Sequence, residues 1–290
     1  WDTTSGLELE RFVGHTGVVR GVALSGNGAT LLSGGADNTA RIWTGSATTL
    51  VAAHTGAIHD LAVVTVGGAL NLLTAGEDKA VKLWDATGKP VRAFAGSTGA
   101  VTRVSATSDG AHVAAGGADM KVYVWTLADA ALANTIVTPA AVTGLKFNAD
   151  NSRIAVGGAD MHLRAFAAAD GVLLEDVTLA VAPADLAFAP DGRTVAVAAA
   201  NNGELRRLAL DRLIPGHVGA VNSLSYLPDG ARLLSGGEDK SVRLWNAVDG
   251  TAVATCAGMT AAVSDVALTA DGLTAIAGGV EKAVRLWKLP

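Results

Sequence analysis

A single cysteine, Cys256, in 290 residues excludes an internal disulfide framework. Charge is sparse as well: 17% of the residues are Asp, Glu, Lys or Arg, and the formal net charge is -5 at pH 7. There is no basic stripe to meet nucleic-acid phosphates and no block of like charge to form a tail, so nucleic acid is not an expected partner. No apolar run approaches the roughly 18 residues of a membrane-spanning helix, so a membrane is not expected either. No stretch carries a sustained helical period. The chain starts at Trp1 without a methionine or a signal-peptide pattern, which fits a trimmed N-terminus. What the sequence has in quantity is apolar side chains, 50% of the total, enough for a sizeable core.

It also has a repeat. The signature Gly34-Gly35-Ala36-Asp37 returns as Ala75-Gly76-Glu77-Asp78, Gly116-Gly117-Ala118-Asp119, Gly157-Gly158-Ala159-Asp160, Gly236-Gly237-Glu238-Asp239 and Gly278-Gly279-Val280-Glu281. A degenerate copy stands at Ala200-Asn201-Asn202. Six residues beyond each acid comes a large ring, at Trp43, Trp84, Trp125, Phe166, Trp245 and Trp287, with Leu208 in the degenerate copy. The acid positions 37, 78, 119, 160, 202, 239 and 281 are spaced by 41, 41, 41, 42, 37 and 42 residues. A period of roughly 40–45 residues is that of a four-stranded propeller blade. Within each unit a short strand such as Val19–Leu24 leads to a hairpin turn such as Asp109-Gly110, Asp191-Gly192, Asp229-Gly230 or Asp271-Gly272. A second apolar strand then runs into the Gly-Gly signature, whose glycines read as hairpin glycines. A third alternates toward the ring, as in Ser241-Val242-Arg243-Leu244-Trp245.

These residues resemble the WD-repeat propellers along the whole chain. Gly14-His15 and Gly216-His217 match that family's Gly-His pair, Ala53-His54 nearly so, and Trp1-Asp2 and Trp84-Asp85 match its Trp-Asp pair. The resemblance implies an all-β fold: one domain over 1–290, a seven-bladed β-propeller of four-stranded antiparallel blades. It also implies that the N-terminal strand, Leu7 to Phe12, completes the last blade, whose three inner strands lie between Val263 and Trp287. It implies a structural hydrogen-bond network in three blades: His15, Ser33, Asp37 and Trp43; His54, Thr74, Asp78 and Trp84; and His217, Ser235, Asp239 and Trp245. The remaining blades depart from that set, with Ser97, Ala115, Asp119 and Trp125; Thr138, Val156, Asp160 and Phe166; Leu179, Ala198, Asn202 and Leu208; and Met259, Ala277, Glu281 and Trp287. They are expected to rely on apolar packing, and Asp160→Ala is expected to cost less than Asp78→Ala.

A His, a Ser and an Asp within one blade imitate a nucleophilic triad, but their repetition in three blades favours the structural role, and no catalytic residue is expected. No metal site is expected, because His59, His112 and His162 fall in different blades. The Gly-Gly signatures precede no helix that could hold a phosphate, and no cofactor is implied. The expected function is a non-catalytic scaffold that presents a rigid face to protein or peptide partners, compatible with a place in a longer chain or larger assembly. An enzyme or small-ligand binder using the central channel is the alternative, although the innermost strands read as mainly Ala, Val, Ser and Thr. By resemblance, partners meet positions three and five residues after the His and one before the acid. The chemistry at those positions gathers at Arg20, His59, Glu77, Asn222 and Glu238, which read equally as ordinary solvated surface.

Overall fold

The computed structural model describes residues 11–45, 47–51, 53–190, 194–199, 205–207, 212–214, 216–247, 250–256, 258–269 and 271–289. Trp1-Asp2, residues 7–10 of the first expected strand, the Asp191-Gly192 turn, Ala200-Asn201-Asn202 and Leu208 lie outside them.

Every regular element among the described residues is a strand. After β1 (Arg11–Val13) come β2 (Val19–Leu24), β3 (Thr30–Gly35), β4 (Ala40–Thr44) and β5 (Ala47–Val51), then β6 (Ile58–Val66), β7 (Ala69–Gly76), β8 (Val81–Asp85) and β9 (Pro90–Phe94). The chain continues through β10 (Val101–Ala106), β11 (His112–Gly117), β12 (Lys121–Thr126) and β13 (Leu132–Val137), and β14 (Val142–Phe147), β15 (Arg153–Gly158), β16 (His162–Ala167) and β17 (Leu173–Thr178). Next are β18 (Pro183–Phe188), β19 (Val195–Ala199), β20 (Leu205–Arg207) and β21 (Arg212–Ile214), and β22 (Val221–Tyr226), β23 (Arg232–Gly237), β24 (Val242–Asn246) and β25 (Ala252–Cys256). The last are β26 (Val263–Leu268), β27 (Thr274–Gly279) and β28 (Ala283–Lys288). Each run of four from β2 to β25 is one antiparallel sheet, and β26, β27 and β28 are joined by β1 in the order β1-β28-β27-β26. The fold is an all-β propeller of four-stranded antiparallel blades. Arg11 pairs with Arg285 and Val13 with Ala283, so the two ends of the described chain share one sheet.

Burial follows position in the blade. The second strand of a blade has neighbouring blades on both of its faces, so β3, β15 and β27 are buried along almost their whole length. This is why those segments read as continuous apolar runs. The outermost strands face water, as β17 does nearly throughout. Between blades, mixed clusters form, such as Leu32, Ile42 and Val51 of one blade with Ile58, Leu61 and Trp84 of the next.

The glycines of the repeated signature do something other than turn the chain. The residue after the acid takes the left-handed conformation, with φ 66° at Asn38, 67° at Lys79 and 64° at Lys240. The first glycine instead closes the second strand, where the adjacent blade leaves no room for a side chain. A Cβ on Gly34 would lie 2.7 Å from the Ile58 side chain, and one on Gly278 would lie 2.5 Å from that of Val19. Blade-to-blade approach, and not hairpin geometry, favours a very small residue there, glycine in most repeats and Ala75 in the second.

Each innermost strand also carries a bulge at one fixed place, between Val19 and Gly21, Ile58 and Asp60, Val101 and Arg103, Val142 and Gly144, Pro183 and Asp185, Val221 and Ser223, and Val263 and Asp265. A bulge adds one residue to one strand and re-aims its side chain.

Candidate functional site

The residues at the bulges are Arg20, His59, Thr102, Thr143, Ala184, Asn222 and Ser264, and all of them line one vestibule of about 660 Å³. It lies at the channel mouth on the face that carries the signature turns. There the Ala36 N–H donates to the Val18 carbonyl and the Thr16 N–H to Asp37. Arg20 is exposed and its guanidinium donates to His59 Nδ1 at 2.8 Å, linking the innermost strands β2 and β6. Burial first, and then the Arg20 charge, hold His59 below its ordinary pKa, so the ring accepts at Nδ1 and keeps its proton on Nε2. Two more bulge residues tie blade to blade in the same direction: Thr102 donates to the Val142 carbonyl and Asn222 to that of Val263, both at 2.7 Å.

Of the five surface positions singled out in the sequence, the structure thus brings Arg20, His59 and Asn222 together at the mouth. Glu77 and Glu238 are exposed and outside the vestibule lining, although Glu77 still acts electrostatically on His59. Asn201, the matching position of the degenerate repeat, lies outside the described residues.

Sequence reasoning missed the next layer. One residue past each bulge stand Gly21, Asp60, Arg103, Gly144, Asp185, Ser223 and Asp265. The channel is therefore not merely lined by Ala, Val, Ser and Thr. Asp60, Asp185 and Asp265 line its interior with Lys146 from one layer further in. Reading the repeats in register one position beyond the bulge would have shown the three acids. They fasten adjacent blades. Asp60 accepts from the Val104 N–H, Asp185 from the Leu224 N–H and the Ser223 hydroxyl, and Asp265 from the Val22 N–H at 2.6 Å. Burial, followed by the nearby Asp185 and Asp60 carboxylates, pushes Asp265 up to about 7. Burial opposes the charge of Lys146, but Asp185, Asp60 and Asp265 outweigh it and hold the ammonium above its ordinary range.

A pH-dependent stability follows. Asp265 has a folded pKa raised above its unfolded value, so its contribution is fully present below about pH 4 and is lost as pH rises through about 7. Asp265→Asn, neutral at every pH, should melt higher than the parent at pH 8, by an amount on the order of 1–3 kcal/mol, and lose that advantage at pH 5. An advantage equal at both pH values would show that ionisation at this position is not what matters.

The three sets of His, Ser or Thr, Asp and Trp each converge on one hydroxyl. His15 Nδ1 donates to Asp37 at 2.8 Å, while the Ser33 hydroxyl bonds His15 Nε2 at 2.8 Å and accepts from the Trp43 indole at 2.9 Å. His54 reaches Asp78 at 2.6 Å and Thr74 at 2.8 Å, with Trp84 donating to Thr74 at 2.9 Å. His217 reaches Asp239 at 2.9 Å and Ser235 at 2.7 Å, with Trp245 donating to Ser235 at 2.7 Å. Burial lowers the pKa of each of the three imidazoles, so each is neutral and its Nε2 accepts from the hydroxyl. The acid also stops the turn chain: Asp37 accepts the N–H groups of Thr16 and Thr39.

Where the histidine is missing, the blades do not fall back on apolar packing alone. The residue four past the acid takes over. Arg164 pairs with Asp160 at 2.7 Å and with Asp176 at 3.2 Å, Tyr123 donates to Asp119 at 3.1 Å, and Arg285 pairs with Glu281 at 2.5 Å. In the histidine blades the equivalent Arg41 and Arg243 lie over Trp43 and Trp245, each 5.9 Å from the ring centroid, and Arg243 and Lys82 add longer pairs to Asp239 at 3.5 Å and Asp78 at 3.7 Å. The expectation that Asp160→Ala is the milder change is thereby reversed in its physical basis. That substitution leaves the buried Arg164 guanidinium short of a carboxylate, and should cost about 1–3 kcal/mol, as much as Asp78→Ala. Urea denaturation of the two variants compares them; a loss at Asp160 under half that at Asp78 would discount the arginine.

Among the described residues, no three His, Cys, Asp or Glu side chains are placed to hold a metal ion, and no helix is long and apolar enough to cross a membrane. Cys256 is buried, and burial raises its thiol to about 11.

The family model for the WD domain, G-beta repeat, matches residues 6–44, 45–85, 88–126, 133–166 and 209–246. Human WD repeat-containing protein 86 is 47% identical over 47 residues, which is 16% of this chain and 12% of that protein. Protein Notchless of Drosophila melanogaster is 51% identical over 43 residues, 15% of this chain and 9% of its own length. The chain thus spans only a small part of these curated relatives. With family matches covering more than half of its length, the chain belongs to the WD domain, G-beta repeat family.

Proposed function

We propose that residues 1–290 form a single seven-bladed ring, closed by the N-terminal strand, that presents the signature-turn face to protein or peptide partners and carries out no reaction. WD-repeat propellers generally mediate protein–protein interaction. Closure is supported by the pairing of β1 with β28 and by the bond from the Val22 N–H to Asp265. The close approach of Gly278 to Val19 supports it too. A scaffold role rather than catalysis is supported by the use of the buried polar groups: the histidine sets are engaged within single blades and the channel carboxylates between adjacent ones.

The observation that carries the binding face is the ring of bulge residues, which brings Arg20, His59 and Asn222 to one mouth. Arginine is among the residues favoured at interface hot spots. Glu77 and Glu238 extend this contact outward on the rim. Capture of partners from the source cell, followed by cross-link mapping by mass spectrometry, tests the reading. Cross-links should fall around Arg20, His59, Glu77, Asn222 and Glu238, and Arg20→Ala with Glu77→Ala should weaken the captured partner about tenfold or more without lowering the melting temperature. Cross-links on the opposite face would overturn it.

A further inference from the structure

The vestibule is asymmetric in charge. Among the described residues its lining includes Arg20, Arg103 and His59 and contains no Asp or Glu. The bulges aim Arg20 and His59 into the mouth, and Arg103, which follows the Thr102 bulge, reaches across it. One end of the Arg103 guanidinium donates to its own strand at the Thr102 carbonyl, and the other to the Ala184 carbonyl of β18, two blades away. Its charge is answered from below, since Asp60 lies close enough to feel it. Arg20 is different. Among the described residues it makes no ion pair, and it spends one N–H on the neutral His59. A guanidinium carries five donors in a fixed fork that matches a carboxylate, so Arg20 has a fork to offer. Thr143 Oγ1, on the same ring of bulges, is buried and has no hydrogen-bond partner. That oxygen is covered by the protein itself, so Arg20, Arg103 and His59 are the charged and ring donors that the vestibule offers an incoming group.

We propose that the vestibule receives the carboxylate of a glutamate or aspartate side chain on a protein or peptide partner, with Arg20 as its principal ligand. Arg103 and the His59 Nε2–H complete the donor set. This assignment rests on the signature-turn face being the binding face, and adds the chemistry that the partner must bring. The exposed Glu77 and Glu238 outside the vestibule favour basic residues on either side of that acid. The fitting segment is therefore an acidic residue flanked by lysine or arginine. The opposite arrangement, a basic centre between acids, meets like charge at both places.

Fluorescence anisotropy with three end-blocked, labelled peptides decides the matter: Lys-Gly-Glu-Gly-Lys, its Gln-centred counterpart, and Glu-Gly-Lys-Gly-Glu. The Glu-centred peptide should bind about tenfold more tightly than the Gln-centred one, and both more tightly than the reversed pattern. Its affinity should fall as salt rises. In Arg20→Gln, whose side chain is exposed and whose melting temperature should not change, the Glu and Gln peptides should bind within about twofold of one another. Equal binding of the Glu and Gln peptides to the parent protein overturns the proposal, as does a glutamate preference that survives Arg20→Gln or a failure of all three peptides to bind. A phosphoserine-centred peptide bound far more tightly than the Glu peptide would overturn the carboxylate assignment. If the carboxylate fails while a partner still cross-links around Arg20, the binding-face reading stands alone. If cross-links fall on the opposite face, that reading fails whatever the peptides do.

Discussion

Phe12→Ala should destabilise the fold by roughly 3–5 kcal/mol, out of proportion to the three-residue strand that carries it. Phe12 is 8% exposed and meets the Trp43 ring edge-on at 5.4 Å between centroids. It shares a cluster with Val19, Val22 and Leu31 of the first blade and with Ile276 and Val284 of the last. Its removal leaves a cavity between those blades and also loosens β1 from β28, exposing a strand edge that invites pairing with other chains. Urea denaturation and light scattering report the two consequences. Val13→Ala is the matched control, on the same strand but 67% exposed, and should change stability by no more than about 0.5 kcal/mol. Near-equal effects of the two substitutions would mean that β1 does not hold the ends of the propeller together.

Glu281→Ala should cost a comparable amount, about 3–5 kcal/mol, because it removes one member of a buried ion pair. The side chains of Glu281 and Arg285 are 3% and 4% exposed, and Glu281 also accepts from the N–H and hydroxyl of Thr260, each at 2.8 Å. Burial opposes the charge of Glu281, but the Arg285 and Thr260 bonds outweigh it and lower the pKa. A depressed carboxylate contributes stability that is present above its unfolded pKa and lost as pH falls through the folded one. The difference between parent and Glu281→Ala should therefore be full at pH 7 and shrink on acidification below about pH 4. Asp229→Ala removes a more exposed pair, with Arg232, and should cost at most about 1 kcal/mol. If the two losses prove equal, burial is not what gives the Glu281 pair its strength.

The fold was legible because its determinants repeat. The acid-to-ring offset and the period of about 41 residues announce the blade, and three sets of His, hydroxyl, Asp and Trp lie where the family pattern would have them. What escaped notice was set by geometry that repeats without an obvious motif. The glycines looked like turn residues because turns favour glycine, whereas the turn conformation belongs to Asn38, Lys79 and Lys240 and the glycines serve the contact between blades. Arg164 and Arg285 fall outside the family set of His, hydroxyl, Asp and Trp and so drew no reading, yet each folds back onto the acid four residues earlier. Asp60, Asp185 and Asp265 are scattered in sequence and meet only in the channel, so no local window could reveal them. Arg20, His59 and Asn222 could be chosen from repeat position alone, but not the bulge that turns them toward one mouth.

The pairing of β1 with β28 also sets a timetable for synthesis. Arg11–Val13 leaves the ribosome long before its partners Ala283, Val284 and Arg285. Each blade from β2 to β25 is assembled from strands adjacent in sequence, and such local hairpins form quickly. The sheet that joins β1 to β28 must instead wait until β28 has been made, and joining such distant segments adds a closure entropy that local pairing avoids. During that wait β1 lacks its partner strand, and Phe12 has not yet gained its contacts with Ile276 and Val284. The nascent protein is thus most open to misassembly with a second copy until β28 has been made, and a chaperone that shields β1 during that interval would protect the joining sheet.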